Sequence, residues 1–279
     1  MRFGTRMLLF FNRFFPKPVH PFNLEEAGGI TYSEWEYRGV GRMMDCYRGY
    51  RAAKDIFHDK TVLDVGCGAG GNSTAYAEFG AKHVYGIDIE PSYEEKSMAF
   101  AASKGVNNFT FRCCDAAETD FPDSFFDVIM LNNSMEHLPQ PEKTLAELKR
   151  ILKEDGLLYI NFPPYFHPYG EHLSDLIGIP WVQCFFGEDS MVEAYKLLAK
   201  TKKDGDARVS FRVGKRPDGR EYFAYINHMT IRRYRGIIEK SGLKEQYYRE
   251  IPLRDGLSFL ARGLTREAFV RMVVGVYRK

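Results

Sequence analysis

The segment Val62-Leu63-Asp64-Val65-Gly66-Cys67-Gly68-Ala69-Gly70-Gly71 constrains this chain most, because a short β-branched apolar run leads directly into glycines at every second position. Such a run reads as a buried strand, and alternate glycines let the backbone turn sharply and approach a ligand where a Cβ would clash. Thr61–Val65 is echoed by Val84–Ile89, Phe109–Arg112, Phe126–Leu131 and Leu157–Phe162, with helix-length stretches between them. The best defined of these is Glu142–Leu152, with Leu145, Leu148, Ile151 and Leu152 on one face and Gly156 just past its end. Towards the end, Thr230 reads as the cap of a helix over Ile231–Ser241, stopped by Gly242, before strands at Tyr247–Ile251 and Val270–Tyr277. Alternating strands and helices imply parallel βαβ units. The predicted fold class is therefore α/β: a doubly wound, mostly parallel seven-stranded sheet with helices on both faces.

Between Pro163 and His228 the pattern changes to an aromatic-rich stretch punctuated by Pro163, Pro164, Pro168 and Pro180. Met191–Lys200 reads as a short helix, and Arg208–Val213 with Tyr222–Ile226 as strands of a hairpin around Pro217-Asp218-Gly219. The expected organisation is a single domain over 1–279. It comprises a helical arm over 1–50, a core over 51–162 and 228–279, and an inserted substrate cap over 163–227. Within the arm, Phe3, Met7, Phe10, Phe11 and Phe14 fall at helical spacing beside Arg2, Arg6 and Arg13, and Pro16, Pro18 and Pro21 then end the helix. No small-residue cleavage site follows, so this is not read as a signal peptide. The helix is expected to pack on its own domain or cover a ligand entrance, with peripheral membrane contact as the alternative. Thr31 to His58 reads as mostly helical.

With 39 basic against 37 acidic residues in 279, the formal charge is +2, which disfavours a nucleic-acid partner. No run approaches the roughly 18–20 apolar residues of a bilayer span. Cys113 and Cys114 are adjacent and Cys46, Cys67 and Cys184 isolated, with no CxxC spacing, so reduced thiols in a cytoplasmic enzyme are expected.

The glycine loop follows Asp-x-Gly-x-Gly-x-Gly, not the Gly-x-Gly-x-x-Gly of dinucleotide folds. A diphosphate sits over a helix N-terminus, where its negative charge is favoured. Here a carboxylate precedes the glycines, which suits a cationic or amine-bearing ligand. Asp88 ends the next predicted strand, where a carboxylate can accept from ribose hydroxyls. Asp115 follows the third, within reach of an adenine amino group.

These residues, with Phe126-Asp127-Val128-Ile129-Met130-Leu131, Ser134-Met135-Glu136-His137-Leu138 and Leu148-Lys149-Arg150-Ile151-Leu152 leading into Gly156-Leu157-Leu158-Tyr159-Ile160, resemble the class I S-adenosylmethionine-dependent methyltransferases. The resemblance runs through the whole predicted core and implies an antiparallel last strand. Where that family often has Pro-Gly-Gly, this chain has Glu154-Asp155-Gly156, a change confined to a structural turn. It implies S-adenosyl-L-methionine as cofactor, held by Asp64, Gly66, Cys67, Gly68, Gly70, Asp88, Ile89, Asp115, Ala116 and Asn132. The expected reaction is in-line methyl transfer to a small-molecule acceptor, an orientation effect, with hydroxyl oxygen ahead of carbon or nitrogen.

His137 after the fourth strand and His167 and His172 after the fifth are the candidate bases, His172 being preferred to His167. Some relatives bind a divalent ion through Glu-x-x-Glu-His and a later histidine. Here Asn133 replaces the first carboxylate; Glu136, His137 and His172 could still make a mixed nitrogen and oxygen site, but losing an anionic ligand weakens hard-ion binding and no metal is assigned. Tyr165, Phe166, Tyr169, Trp181, Phe185 and Phe186 suit an apolar, aromatic, lipid-like or saccharide acceptor, although most such aromatics form the insertion's own core. The competing readings are an RNA or protein methyltransferase using the basic insertion, and a non-catalytic cofactor-binding regulator.

Overall fold

The computed structural model describes residues 1–279. Along the chain come α1 (Phe3–Asn12), α2 (Pro21–Glu26), α3 (Tyr32–Met44), α4 (Ala53–Phe57), β1 (Thr61–Val65), α5 (Gly71–Glu78) and β2 (His83–Asp88). They are followed by α6 (Tyr93–Ser103), β3 (Phe109–Cys113), β4 (Phe126–Asn132), α7 (Pro141–Ile151) and β5 (Leu152–Phe162). The remainder is α8 (Val182–Phe185), α9 (Glu188–Ala199), α10 (Gly205–Arg212), β6 (Val213–Lys215), β7 (Glu221–Phe223), α11 (Ile231–Ser241), β8 (Lys244–Pro252), α12 (Arg266–Phe269) and β9 (Val270–Arg278). The chain divides into two compact units. A sheet unit takes residues 30–162, 232–251 and 272–279, and a helical unit takes 1–29, 163–231 and 252–271.

In the sheet unit, seven strands lie in the order β3-β2-β1-β4-β5-β9-β8. β1 pairs in parallel with β2 and β4, β2 with β3 and β4 with β5, while β9 runs antiparallel to β5. The predicted seven-stranded, mostly parallel α/β sheet is therefore present. The central strands are buried on both faces, as βαβ crossovers require: Val62, Leu63, Ile129 and Met130 have no exposed surface. At about 25 cal/mol per Å² of buried apolar area, this core supplies the main drive to fold the unit. α3 begins at Thr31, whose Oγ1 accepts the Glu34 N–H.

The helical unit packs a separate core around Leu8, Leu173, Ile177, Val192, Tyr195 and Phe223. α1 joins it through Thr5, Leu8 and Asn12, and the Phe3, Phe10 and Phe14 stripe stays exposed. Part of the insertion's aromatic set serves this core: Tyr165, Phe186 and Tyr225 pack against it, whereas Phe185 is 72% exposed.

Two local expectations fail. Arg208–Val213 is not a strand: α10 occupies Gly205–Arg212, and the hairpin shrinks to Val213–Lys215 and Glu221–Phe223. Val209, Phe211 and Val213 alternate like a strand, yet the buried side chains are Arg208 and Arg212, one helical turn apart, and Phe211 is left half exposed. Nor does Gly156 end a helix. α7 stops at Ile151, and Leu152 is already extended (φ −75°, ψ 137°), so Gly156 lies inside β5.

Candidate functional site

The carboxyl ends of β1, β2 and β3 form one edge of the sheet unit, and the glycine loop covers it. Gly66 and Gly70 have φ of +70° and +78°, and a Cβ would come within 2.8 Å of Ser134 Oγ and 2.7 Å of Ser97 Cβ respectively. Only glycine fits there. Gly68 differs: φ is +50°, and a Cβ would meet nothing nearer than the Tyr32 ring at 3.7 Å. The one neighbour a Cβ would have there is that ring, at ordinary van der Waals distance.

Asp64 is buried, with Oδ2 accepting from Ser73 Oγ of α5 at 2.6 Å. Burial pushes its carboxyl up to about 7; the Ser73 hydrogen bond opposes this and the charge of Asp88 adds to it. Asp88 accepts the Gly68 N–H at Oδ2 and the Glu90 N–H at Oδ1, both at 3.0 Å. A carboxylate has about four acceptor positions, so capacity remains for a ligand. Desolvation again raises its pKa, against those hydrogen bonds.

A third carboxylate joins them that the strand-end pattern did not mark. Glu36 of α3 is brought onto the loop because Ser33 donates to the Ala69 carbonyl at 2.9 Å and Gly71 leaves no room for a Cβ between the elements. Burial pushes Glu36 up to about 8, Asp64 reinforces this, and hydrogen bonds from Tyr32 and Gly71 oppose it. Glu36 Oε2 has no hydrogen-bond partner and is fully enclosed. The sequence signal was the Thr31-Tyr32-Ser33-Glu34 start of α3, which fixes the helix face carrying Ser33 and Glu36.

The other expected cofactor residues divide. Cys114 N–H donates to the Asp88 carbonyl at 3.0 Å, which places Asp115 and Ala116 beside Asp88 and Ile89. Ile89 is 70% exposed, Ala116 is buried, and exposed Asp115 uses Oδ1 to cap the Ala117 N–H at 2.8 Å. Cys67 instead turns its Sγ into the core opposite Gly86, and its N–H is taken by Ile87. Asn132 is enclosed in a polar network: Tyr47 Oη donates to its Oδ1 at 2.7 Å, Asn161 also donates there, and its Nδ2 meets Tyr76 Oη at 2.7 Å. Both side chains hold the site's walls and present no open donor or acceptor to it.

Of the histidines, His137 lies in the sheet unit on a 3-10 turn over Met135–His137, its side chain 33% exposed and Nε2 4.0 Å from Glu136 Oε1. Burial pushes Glu136 up to about 8. His167 and His172 belong to the helical unit. His167 Nδ1 accepts the Tyr169 N–H at 3.2 Å, and burial lowers its pKa to about 4, so it is a turn-forming side chain and a weak base. His172 has φ +56°, held by Arg212 Nε and Tyr225 Oη, both donating to its carbonyl at 3.2 and 2.8 Å.

Residues 63–160 match the family model described as a methyltransferase domain. A probable chloroplastic tocopherol O-methyltransferase from Oryza sativa subsp. japonica is 39% identical over 129 residues, 45% of this chain and 36% of that protein. A ubiquinone/menaquinone biosynthesis C-methyltransferase from Paraburkholderia phymatum is 30% identical over 145 residues, 50% of this chain and 58% of that one. The matched segment thus spans less than two thirds of either relative. Among solved structures, the [4+2]-cyclase SpnF superposes with a TM-score of 0.57 at 14% identity, covering 99% of this chain and 96% of that one, a likeness of fold. Over residues 63–160, less than half of the chain, the sequence thus matches a methyltransferase domain, and its fold is like that of S-adenosylmethionine-dependent methyltransferases.

Proposed function

We propose that this chain transfers a methyl group from S-adenosylmethionine to a small apolar, aromatic, lipid-like or saccharide acceptor, with hydroxyl oxygen ahead of carbon or nitrogen. The observation that carries the reading is the trio Glu36, Asp64 and Asp88 gathered at the glycine loop. Three carboxylates held above their usual range by burial, with no arginine or lysine against them, suit a ligand that brings its own positive charge. Glu36 and Asp64 would hold its ammonium end and Asp88 the ribose hydroxyls. Ile89, Ala116 and Asp115 would flank the adenine. The cofactor, when bound, supplies a methyl group already activated on a sulfonium.

The remaining task of the protein is to align the acceptor with that methyl and exclude water, an effect worth up to roughly 7–11 kcal/mol when geometry is ideal. A hydroxyl acceptor also needs a base, for which His137 is the candidate in the sheet unit and His172 in the helical unit. One relative is named for methylation of tocopherol on oxygen and another for a carbon methylation in ubiquinone/menaquinone biosynthesis, which supports a small-molecule acceptor.

The test is a cell extract incubated with the protein and methyl-labelled cofactor. Label is expected in an organic-soluble or other small metabolite; label confined to RNA or protein would sink the acceptor assignment. With that acceptor, His137→Ala is expected to slow turnover about 100-fold and leave cofactor affinity unchanged. Unchanged turnover in both His137→Ala and His172→Ala would remove the histidine base.

A further inference from the structure

The helical unit exposes large apolar side chains in two places, each beside cations. On α1 and the turn that follows it, the face opposite Leu8 presents Phe3, Phe10 and Phe14 at 78%, 51% and 68% exposure, with Arg6, Arg13 and Lys17 also exposed. Residues 1–20 hold four basic side chains and no acidic one. The second place is the loop between β8 and α12, where Phe259 and Leu264 are 65% and 105% exposed, Phe259 between Arg254 and Arg262 and Leu264 two residues past Arg262.

One short segment tethers both. Asn12 at the end of α1 donates to the Leu176 carbonyl at 3.0 Å and accepts the Gly178 N–H at 2.8 Å. Three residues on, Trp181 Nε1 donates to the Ala268 carbonyl at 3.2 Å, and its ring meets Phe269. Soluble monomers rarely leave several large apolar side chains projecting together.

We propose that this surface docks the protein on an anionic lipid bilayer, lying in the interface and not crossing it. No helix of the chain is long and apolar enough to cross a membrane, and α1, at ten residues, is about 15 Å long. Its chemistry matches the headgroup boundary, where aromatic side chains enter the acyl edge and arginine and lysine meet anionic headgroups. A protein partner would be expected to bring carboxylates and a concave apolar seat. Here the apolar groups project from a helix face and a loop tip, which suits a deformable lipid surface.

The experiment is co-sedimentation of the full chain with vesicles, read without cofactor or acceptor so that its failure is distinct from failure of the methyl-transfer reading. Binding is expected to phosphatidylcholine vesicles containing phosphatidylglycerol, to be much weaker with phosphatidylcholine alone, and to fall as salt screens the cations. Phe10→Ser with Phe14→Ser is expected to lower partitioning about tenfold, as is Leu264→Ser, with circular dichroism unchanged. A wild-type chain that stays in the supernatant with anionic vesicles overturns the proposal. So does equal binding by the variants. A concentration-dependent dimer, lost in the Phe10/Phe14 variant without vesicle binding, would instead assign the surface to a second copy of the chain.

Discussion

Each unit buries carboxylates, and they are treated in opposite ways. In the helical unit Asp175 is fully buried among cations: Arg208 Nη1 lies 3.1 Å from Oδ2, Arg212 Nη2 lies 3.4 Å from Oδ1, and Tyr195 donates to Oδ2 at 2.9 Å. The Arg212 guanidinium is itself ringed by Phe22, Tyr195, Phe211 and Tyr225 at 5.1–5.7 Å. In the sheet unit Glu36, Asp64 and Asp88 face one another with only hydroxyls and N–H groups in support. A buried charge closed by its counter-ions is part of the fold; a buried charge left facing its own kind is poised for a ligand.

The largest test of that contrast is Asp175→Ala. The buried Arg212 guanidinium would lose its counter-charge and Arg208 would keep only Asp204 and Glu26, so a loss of ~3–5 kcal/mol is expected in urea unfolding. A loss below ~1 kcal/mol would show that Asp175 is not the unit's electrostatic centre. Next, Asp88→Ala is expected to lower S-adenosylmethionine affinity about 100-fold by calorimetry, as charge-assisted hydrogen bonds of ~1.5–3 kcal/mol disappear. Unchanged binding would contradict the ribose assignment.

Smaller, and opposite in its two readouts, is Glu36→Gln. Removing a charge repelled by Asp64 is expected to raise the melting temperature of the cofactor-free protein at pH 8 and weaken cofactor binding about tenfold. If both fall together, Glu36 is a packing residue. The remaining test is the pH dependence. Asp64 moves from 3.8 unfolded to about 7 folded, and Glu36 from 4.5 to about 8. Between these values the folded protein holds more protons than the unfolded chain. Their contribution is therefore full below about pH 4 and is lost as pH rises through 7 to 8. A cation prefers the ionised carboxylates, so its affinity should rise across the same window with proton release. Calorimetry in buffers of different ionisation heat would detect that release, and its absence would argue against cation binding at the trio.

The sheet was legible because its strands are short β-branched runs: Thr61–Val65 is β1 to the residue, and Ile231–Ser241 is α11 likewise. Asp64, the loop glycines and Asp88 were legible for a related reason, since packing alone seldom puts a carboxylate or a glycine at the end of a buried strand. The directions of the Cys67 and Asn132 side chains, into the core and into a polar network, were not readable in the same way, because position along a strand end does not say which way a side chain turns. The misread stretch at Arg208–Val213 shows the same limit, as apolar alternation failed to reveal that two arginines point inward to Asp175.

Local periodicity and glycine spacing by themselves determined the α/β sheet and the carboxylate-led turn, because both are encoded by near neighbours in the chain. The tertiary structure alone decided that Glu36, far upstream, completes an acidic trio, while Asp175 is neutralised by arginines. Whether a buried charge finds a counter-ion depends on segments that meet only when the chain has folded.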